Sequence, residues 1–248
     1  MRERTSFEDN SNSGLVERYM DSSIPLKIRK TNLLAMCGLP IPESVFFDKV
    51  EIDNLDNEIK SFFGNDSWPL ILRVACVPNK SSMPFFYINN EEEVRNVISE
   101  AQELLKGDSS IKSFILQEAT PEEKAKEKIS GRIVLESTRM IPTEQTVEIY
   151  KGARSTSILN NVKLGDPRLL RFQKKTGQFM KPEQEITRES NVSEGEIRGI
   201  FSSLKGYLEM MESVKAVIAK SEKKDPDNLS CSFEFSYRAG RITFIDID

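Results

Sequence analysis

The final stretch of the chain constrains its fold more than any other. Cys231–Tyr237 and Arg241–Asp248 are two apolar-rich runs separated only by Arg238-Ala239-Gly240. Strands joined by so short a turn pair antiparallel, as a hairpin. Just upstream, Ser193 with Glu196 three residues on is a helix-capping signature. Behind it Ile197, Ile200, Phe201, Leu204, Leu208, Met211, Val214, Val217 and Ile218 recur at three- and four-residue steps. That is one long helix whose apolar stripe belongs in a core, stopped at Lys223-Lys224-Asp225-Pro226-Asp227.

The rest of the chain alternates in the same way. The polar start through Asn10-Ser11-Asn12-Ser13-Gly14 carries no periodicity, so residues 1–24 are expected to be an N-terminal leader, with folding logic beginning near Leu15. Pro25–Cys37 reads as a short basic helix that ends at Gly38-Leu39-Pro40-Ile41-Pro42. Strands are expected at Val45–Phe47, Leu70–Ala75, Phe114–Glu118, Gly131–Ser137 and Thr146–Tyr150, with helices at Leu55–Phe63 and, capped by Asn90, as far as Gly107. Pro121–Lys128 reads as a solvated loop, and Leu169–Phe172 with Gln178–Met180 as short hairpins. At ~150 residues per domain, 248 residues allow one large domain or two joined lobes.

Composition removes whole classes of chemistry. There is no histidine, which excludes Ser/His/Asp and Cys/His catalysis, histidine-ligated zinc and a phosphohistidine on this chain. Cys37, Cys76 and Cys231 are scattered and never form C-x-x-C, so no disulfide framework or thiolate metal site is expected. No apolar run approaches the ~20 residues of a membrane span, and Met1-Arg2-Glu3-Arg4-Thr5 lacks the apolar core of a signal peptide; the expected location is cytoplasmic. A net charge of −4 does not favour nucleic acid as an obligatory partner. Arg168, Arg171, Lys174, Lys175 and Lys181, with Phe172 and Phe179 interleaved, read first as a solvated basic surface and otherwise as a contact for a polyanion.

The terminal hairpin also carries acids. Strand alternation sets Asp246 and Asp248 on one face, and the hairpin brings Glu234 opposite that end. Like charges so placed gain nothing from each other, whereas Mg²⁺ takes one or two carboxylates together with nucleotide phosphates. The plain structural reading is a set of solvated hairpin ends. Arg73, ending an apolar strand, is shaped for phosphate, and Gln117-Glu118 closes another strand.

With these residues in order, the chain resembles the ATP-grasp superfamily, whose last sheet carries an acid, a hairpin, and then Glu-x-Asn or a similar pair. Glu234 and Asp246-Ile247-Asp248 look like that pattern. Lys27-Ile28-Arg29-Lys30, Pro69-Leu70-Ile71-Leu72-Arg73 and Ile115-Leu116-Gln117-Glu118 fall in the order it requires, so the similarity spans about residues 25–248. Within the superfamily, Lys30-Thr31-Asn32-Leu33 before Gly38-Leu39-Pro40-Ile41-Pro42, Ser130-Gly131-Arg132-Ile133-Val134 and Val147–Gly152 resemble the ATP-binding domain of phosphoenolpyruvate synthase and pyruvate phosphate dikinase. That group's patterns are Gly-Gly-Lys-Gly-x-Asn-Leu and Ser-Gly-Val for the first two. The amide ligases of the superfamily offer Lys27 in place of Lys30, since Lys27-Ile28-Arg29 matches their Lys-Leu-Arg.

The resemblance implies an α+β fold of two lobes with mainly antiparallel sheets, 25–107 and 108–248, with ATP and Mg²⁺ held between them. Lys27 or Lys30, Arg73 and Lys80 would meet phosphate, Gln117 and Glu118 the adenine, and Glu234, Asp246 and Asp248 the metal; Lys30 and Arg73 would be catalytic. The implied chemistry is phosphoryl transfer, or a ligase's acyl-phosphate formation, on an unidentified small-molecule or protein acceptor. Two departures frame the other reading, a catalytically silent module for protein or nucleic-acid interaction. Val77–Pro84, where the family has a glycine- or serine-rich lid, contains no glycine, and no histidine exists to receive phosphate.

Overall fold

The computed structural model describes residues 12–62, 68–78, 84–119, 129–135, 144–151, 168–173, 178–180 and 192–248. The chain is α+β and divides into two compact units whose segments interleave. One comprises Asp21–Lys30 and Pro42–Glu123, the other Met1–Met20, Thr31–Ile41 and Lys124–Asp248.

The first unit is built on a four-stranded antiparallel sheet in the order β1-β4-β2-β3, with β1 Ser44–Asp48, β2 Leu70–Cys76, β3 Phe85–Ile88 and β4 Ile111–Glu118. One face carries Phe47, Leu70, Leu72, Val74, Cys76, Ile88, Phe114 and Leu116. These pack against Leu55 and Ile59 of α3 (Leu55–Phe62) and Val94, Val97 and Ala101 of α4 (Val94–Gly107). Phe47 and Phe114 stack across the neighbouring strands with ring centroids 5.7 Å apart. The opposite face is covered at Ala75 and Ile115 by Ile28 of α2 (Leu26–Met36), with Ile24 and Phe46 alongside. A strand buried on both faces needs no polar alternation, which is why Leu70–Cys76 is an almost unbroken apolar run. Each fully buried Leu, Ile or Phe here is worth roughly 1.5–3 kcal/mol of transfer free energy.

The second unit holds a six-stranded antiparallel sheet, β10-β9-β5-β6-β7-β8. Its strands are β5 Ile129–Leu135, β6 Glu144–Lys151, β7 Arg168–Gln173, β8 Gln178–Met180, β9 Cys231–Arg238 and β10 Arg241–Ile247. Its apolar face bears Ile129, Ile133, Leu135, Val147, Ile149, Phe233, Phe235, Ile242, Phe244 and Ile247. It shares a core with α5 (Glu194–Ser221), with Leu15 and Val16 of α1 (Asn12–Met20), and with Leu33, Leu34 and Leu39. Gly131 is required on this face, because a Cβ there would collide with the Phe235 ring from the paired strand. The expected capping box forms: Ser193 N donates to Glu196 Oε2 at 2.7 Å and Glu196 N donates to Ser193 Oγ at 3.2 Å. Gly38, with φ +83°, ends α2 in the left-handed region, and Leu39 N donates to Leu34 O at 3.0 Å. Phe244 N then donates to Pro40 O at 2.7 Å, which ties this turn to the terminal hairpin.

Several expectations shift. The leader expected over residues 1–24 contains α1, because Leu15 and Val16 supply an apolar edge that is buried beside α5. The boundary expected after Gly107 falls beyond β4, since that strand pairs with both β1 and β2 and so belongs to the small sheet. β3 has no counterpart among the expected strands, being only four residues long at a sheet edge. The solvated loop expected over Pro121–Lys128 lies outside the described residues.

Candidate functional site

The small-sheet unit gathers several of the expected cations. Arg73 stands two residues before Ala75 on β2, and Gln117 two residues beyond Ile115 on β4; both therefore share the face on which Ile28 packs. Lys27 and Lys30 stand on the first turns of α2, one residue before and two beyond Ile28, half-buried and engaged in contacts, while Arg73 and Gln117 lie on the sheet face that Ile28 covers. The Arg73 Nε is buried and meets no hydrogen-bond acceptor among the described residues, although the residue is engaged through other contacts. Arg29 is turned to a structural task, its Nε donating to Ile24 O at 3.0 Å.

Gln117 is nearly inaccessible, and its Nε2 donates to Ser44 Oγ at 2.9 Å, bracing β4 against β1. Ser44 Oγ in turn donates to Pro42 O at 2.7 Å. Glu118 is exposed at the strand end, with its backbone N–H donating to Glu43 O at 3.2 Å. Ile71 lies opposite both Gln117 and Tyr87, and Arg73 opposite Phe85; Phe85 and Tyr87 meet edge to face at 5.5 Å on this same face. Lys80, with the loop residues Asn79–Met83, lies outside the described residues.

The large-sheet unit holds the acids. β9 turns Phe233 and Phe235 to the core, so Ser232, Glu234 and Ser236 occupy the opposite, polar face. On one side Asp246 of β10 is the register partner of Glu234; on the other, Arg132 of β5 is. A bulge between Phe244 and Asp246 lets both Phe244 and Ile247 reach the core while Asp246 turns to the polar face. Asp248 sits one step further on, exchanging backbone hydrogen bonds of 2.8 and 2.6 Å with Ser232. Glu234 is only 6% exposed, Asp246 half-buried and Asp248 exposed.

The three-carboxylate convergence expected from alternation thus becomes a pair, Glu234 with Asp246, and Asp248 as its neighbour along the strand. Among the described residues, no three acids or thiols are gathered into a metal cage. Mg²⁺ keeps several waters and substrate oxygens and needs only one or two carboxylates, so the pair fits that ion in company with a nucleotide.

Sequence reasoning missed Arg132. Its signal was parity: Arg132 and Glu234 share a face only once β5 and β9 are known to pair, and nothing local announces that. Of the basic stretch near the hairpins, Arg168 and Arg171 fall on β7, while Lys174, Lys175 and Lys181 lie outside the described residues. No described helix is long and apolar enough to cross a membrane.

No family model matches the chain, and no curated protein does. Among solved structures, it is similar to the VanG D-Ala:D-Ser ligase from Enterococcus faecalis at 16% identity, covering 96% of this chain and 53% of that one, with a TM-score of 0.45. An N5-carboxyaminoimidazole synthase from Aspergillus clavatus, in complex with ADP and 5-aminoimidazole ribonucleotide, matches at 10% identity over 94% of this chain and 45% of that one, TM-score 0.46. A D-Alanine-D-Alanine ligase from Helicobacter pylori matches at 10% identity over 91% and 56% respectively, TM-score 0.46. The chain spans about half the length of the solved chains it matches. Likeness at this level decides neither family nor chemistry.

Proposed function

We propose that the chain is an ATP-grasp protein that binds ATP with Mg²⁺. Within the small-sheet unit the candidate phosphate-binding cations are Lys27 or Lys30 and Arg73; within the large-sheet unit the candidate metal-binding carboxylates are Glu234 and Asp246. The observation that carries this reading is the register of Glu234 with Asp246 on the polar face of the terminal hairpin, where two like charges stand side by side. Lys27 or Lys30 on α2 and Arg73 on β2 would supply positive charge to phosphate oxygens. The Phe85–Tyr87 edge, Ile71 and the end of β4 at Gln117-Glu118 offer an apolar, hydrogen-bonding seat for a base.

The reaction we assign is ATP-dependent ligation through an acyl phosphate, or phosphoryl transfer, to a small-molecule or protein acceptor. Bound Mg²⁺ would draw charge from the phosphates. Glu234 and Asp246, with Asp248 alongside, would hold it, and Arg73 with Lys30 would oppose the charge that develops on the transferred group. The motifs around Lys30-Thr31-Asn32-Leu33 and Ser130-Gly131 support kinship with the phosphoenolpyruvate synthase and pyruvate phosphate dikinase group.

Calorimetric titration of the full chain with ATP and ADP, with and without Mg²⁺, tests the reading. Micromolar binding that Mg²⁺ strengthens is the expected result, with Glu234→Gln losing the Mg²⁺ effect while keeping the fold. Absence of binding at millimolar nucleotide would leave the silent interaction module, for which the glycine-free Val77–Pro84 and the missing histidine speak.

A further inference from the structure

We propose that Arg132 is a built-in counter-charge for the acidic pair. It is a positioning residue that keeps the polar face receptive to a nucleoside polyphosphate when no divalent cation is bound; this holds if, as proposed above, that face receives ATP. Directly opposite residues on antiparallel strands have Cβ atoms about 4.5–5.5 Å apart, within reach of long charged side chains. The strand pairing sets Asp246, Glu234 and Arg132 side by side in one row across β10, β9 and β5, with Glu148 as Arg132's register partner on β6. Arg132 is the sole cation in this row of acids. It is half-buried, while Glu234 beside it is almost fully buried, so their mutual field is less screened than at an open surface. A guanidinium stays protonated at every accessible pH, so this counter-charge is permanent.

The electrostatic consequence depends on the metal. Without Mg²⁺, two carboxylates would repel incoming phosphates, and Arg132 offsets part of that repulsion. With Mg²⁺ held by Glu234 and Asp246, the ion neutralises the pair and the contribution of Arg132 becomes redundant. Removing Arg132 therefore weakens nucleotide binding chiefly in the absence of metal. A purely structural cross-strand ion pair would change stability and leave the metal dependence of binding as it was.

The test is calorimetry of the full chain with ATP in excess Mg²⁺ and again in excess EDTA. The variants are Arg132→Val, which suits a strand whose same-face neighbour is Val134, and Arg132→Lys, which retains the charge. Arg132→Val is expected to lose about tenfold in ATP affinity in EDTA, and less than about twofold in Mg²⁺. Arg132→Lys should restore most of the EDTA affinity. Arg132→Gln, neutral and able to hydrogen-bond, is read in the same two conditions, so that misfolding of the valine variant leaves the comparison intact. Equal losses in both conditions, or none in either, would overturn the role of Arg132 while the ATP reading stands. Wild-type protein that binds no ATP even with Mg²⁺ would overturn the ATP reading, and the counter-charge with it.

Discussion

A Cβ at residue 131 has nowhere to go, because the tip of the Phe235 ring fills the space that the glycine leaves in β5. The ring is fully buried and ties β9 to the same core as α5, so it cannot swing outward without opening a cavity. Gly131→Ala should therefore cost about 1–3 kcal/mol through overpacking. The check is a lowered urea midpoint with an unchanged slope. Cys37 is governed by burial in another way, its thiol pKa being pushed up to about 11 by desolvation. Unfolded, a thiol ionises near pH 8.5, so above that value the unfolded state sheds its proton before the folded one does. The part of the stability that comes from keeping Cys37 neutral is present below about pH 8.5 and declines as pH rises towards 11. Alkylation by iodoacetamide at pH 8 should accordingly be slow in native protein and fast in urea, whereas equal rates would contradict the burial.

Single elements carry their own predictions. The terminal hairpin turns at Ala239 with φ 49° and Gly240 with φ 80°, both in the left-handed region favoured by Asn-Gly turns. Alanine is strained there, so Ala239→Asn should raise stability by about 0.5–1 kcal/mol, read as a higher unfolding temperature. At the start of α5, Ser193→Ala removes the hydroxyl that accepts from Glu196 N, keeps the backbone N–H bond to the Glu196 carboxylate, and should cost about 0.5–2 kcal/mol. The same helix shows how an element's pattern can mislead. Its apolar stripe marks the buried face correctly, yet Lys215 falls on that same face, seven residues after Leu208 and four after Met211, and is buried at 2% exposure. Periodicity identifies the face that must be covered and says nothing of a charged residue set within it.

For the molecule as a whole, the two units interleave along the chain. α2 contributes Leu26–Lys30 to one and Thr31–Met36 to the other, and β4 is the central partner of β1 and β2. A fragment ending at Gly107, the boundary that composition and turn residues favour, leaves the small sheet without the strand that joins its parts. Such a fragment should show no cooperative urea transition, while one extended through Ala119 regains that strand; circular dichroism across a urea series distinguishes them. Most elements were legible beforehand: the capped α5, the basic α2 stopped at Gly38, the buried β2, and the hairpin with its acids at one end. The class of chemistry was bounded too, since a chain without histidine has no imidazole to serve as base, metal ligand or phosphate carrier. These properties belong to neighbours in sequence: a cap three residues from its partner, a stripe every three or four residues, a two-residue turn. Strand order and cross-sheet register belong to residues that meet only after loops close and cores pack. That is why only the tertiary structure decided that β4 lies between β1 and β2, that the bulge turns Asp246 towards Glu234, and that Arg132 stands on Glu234's other side.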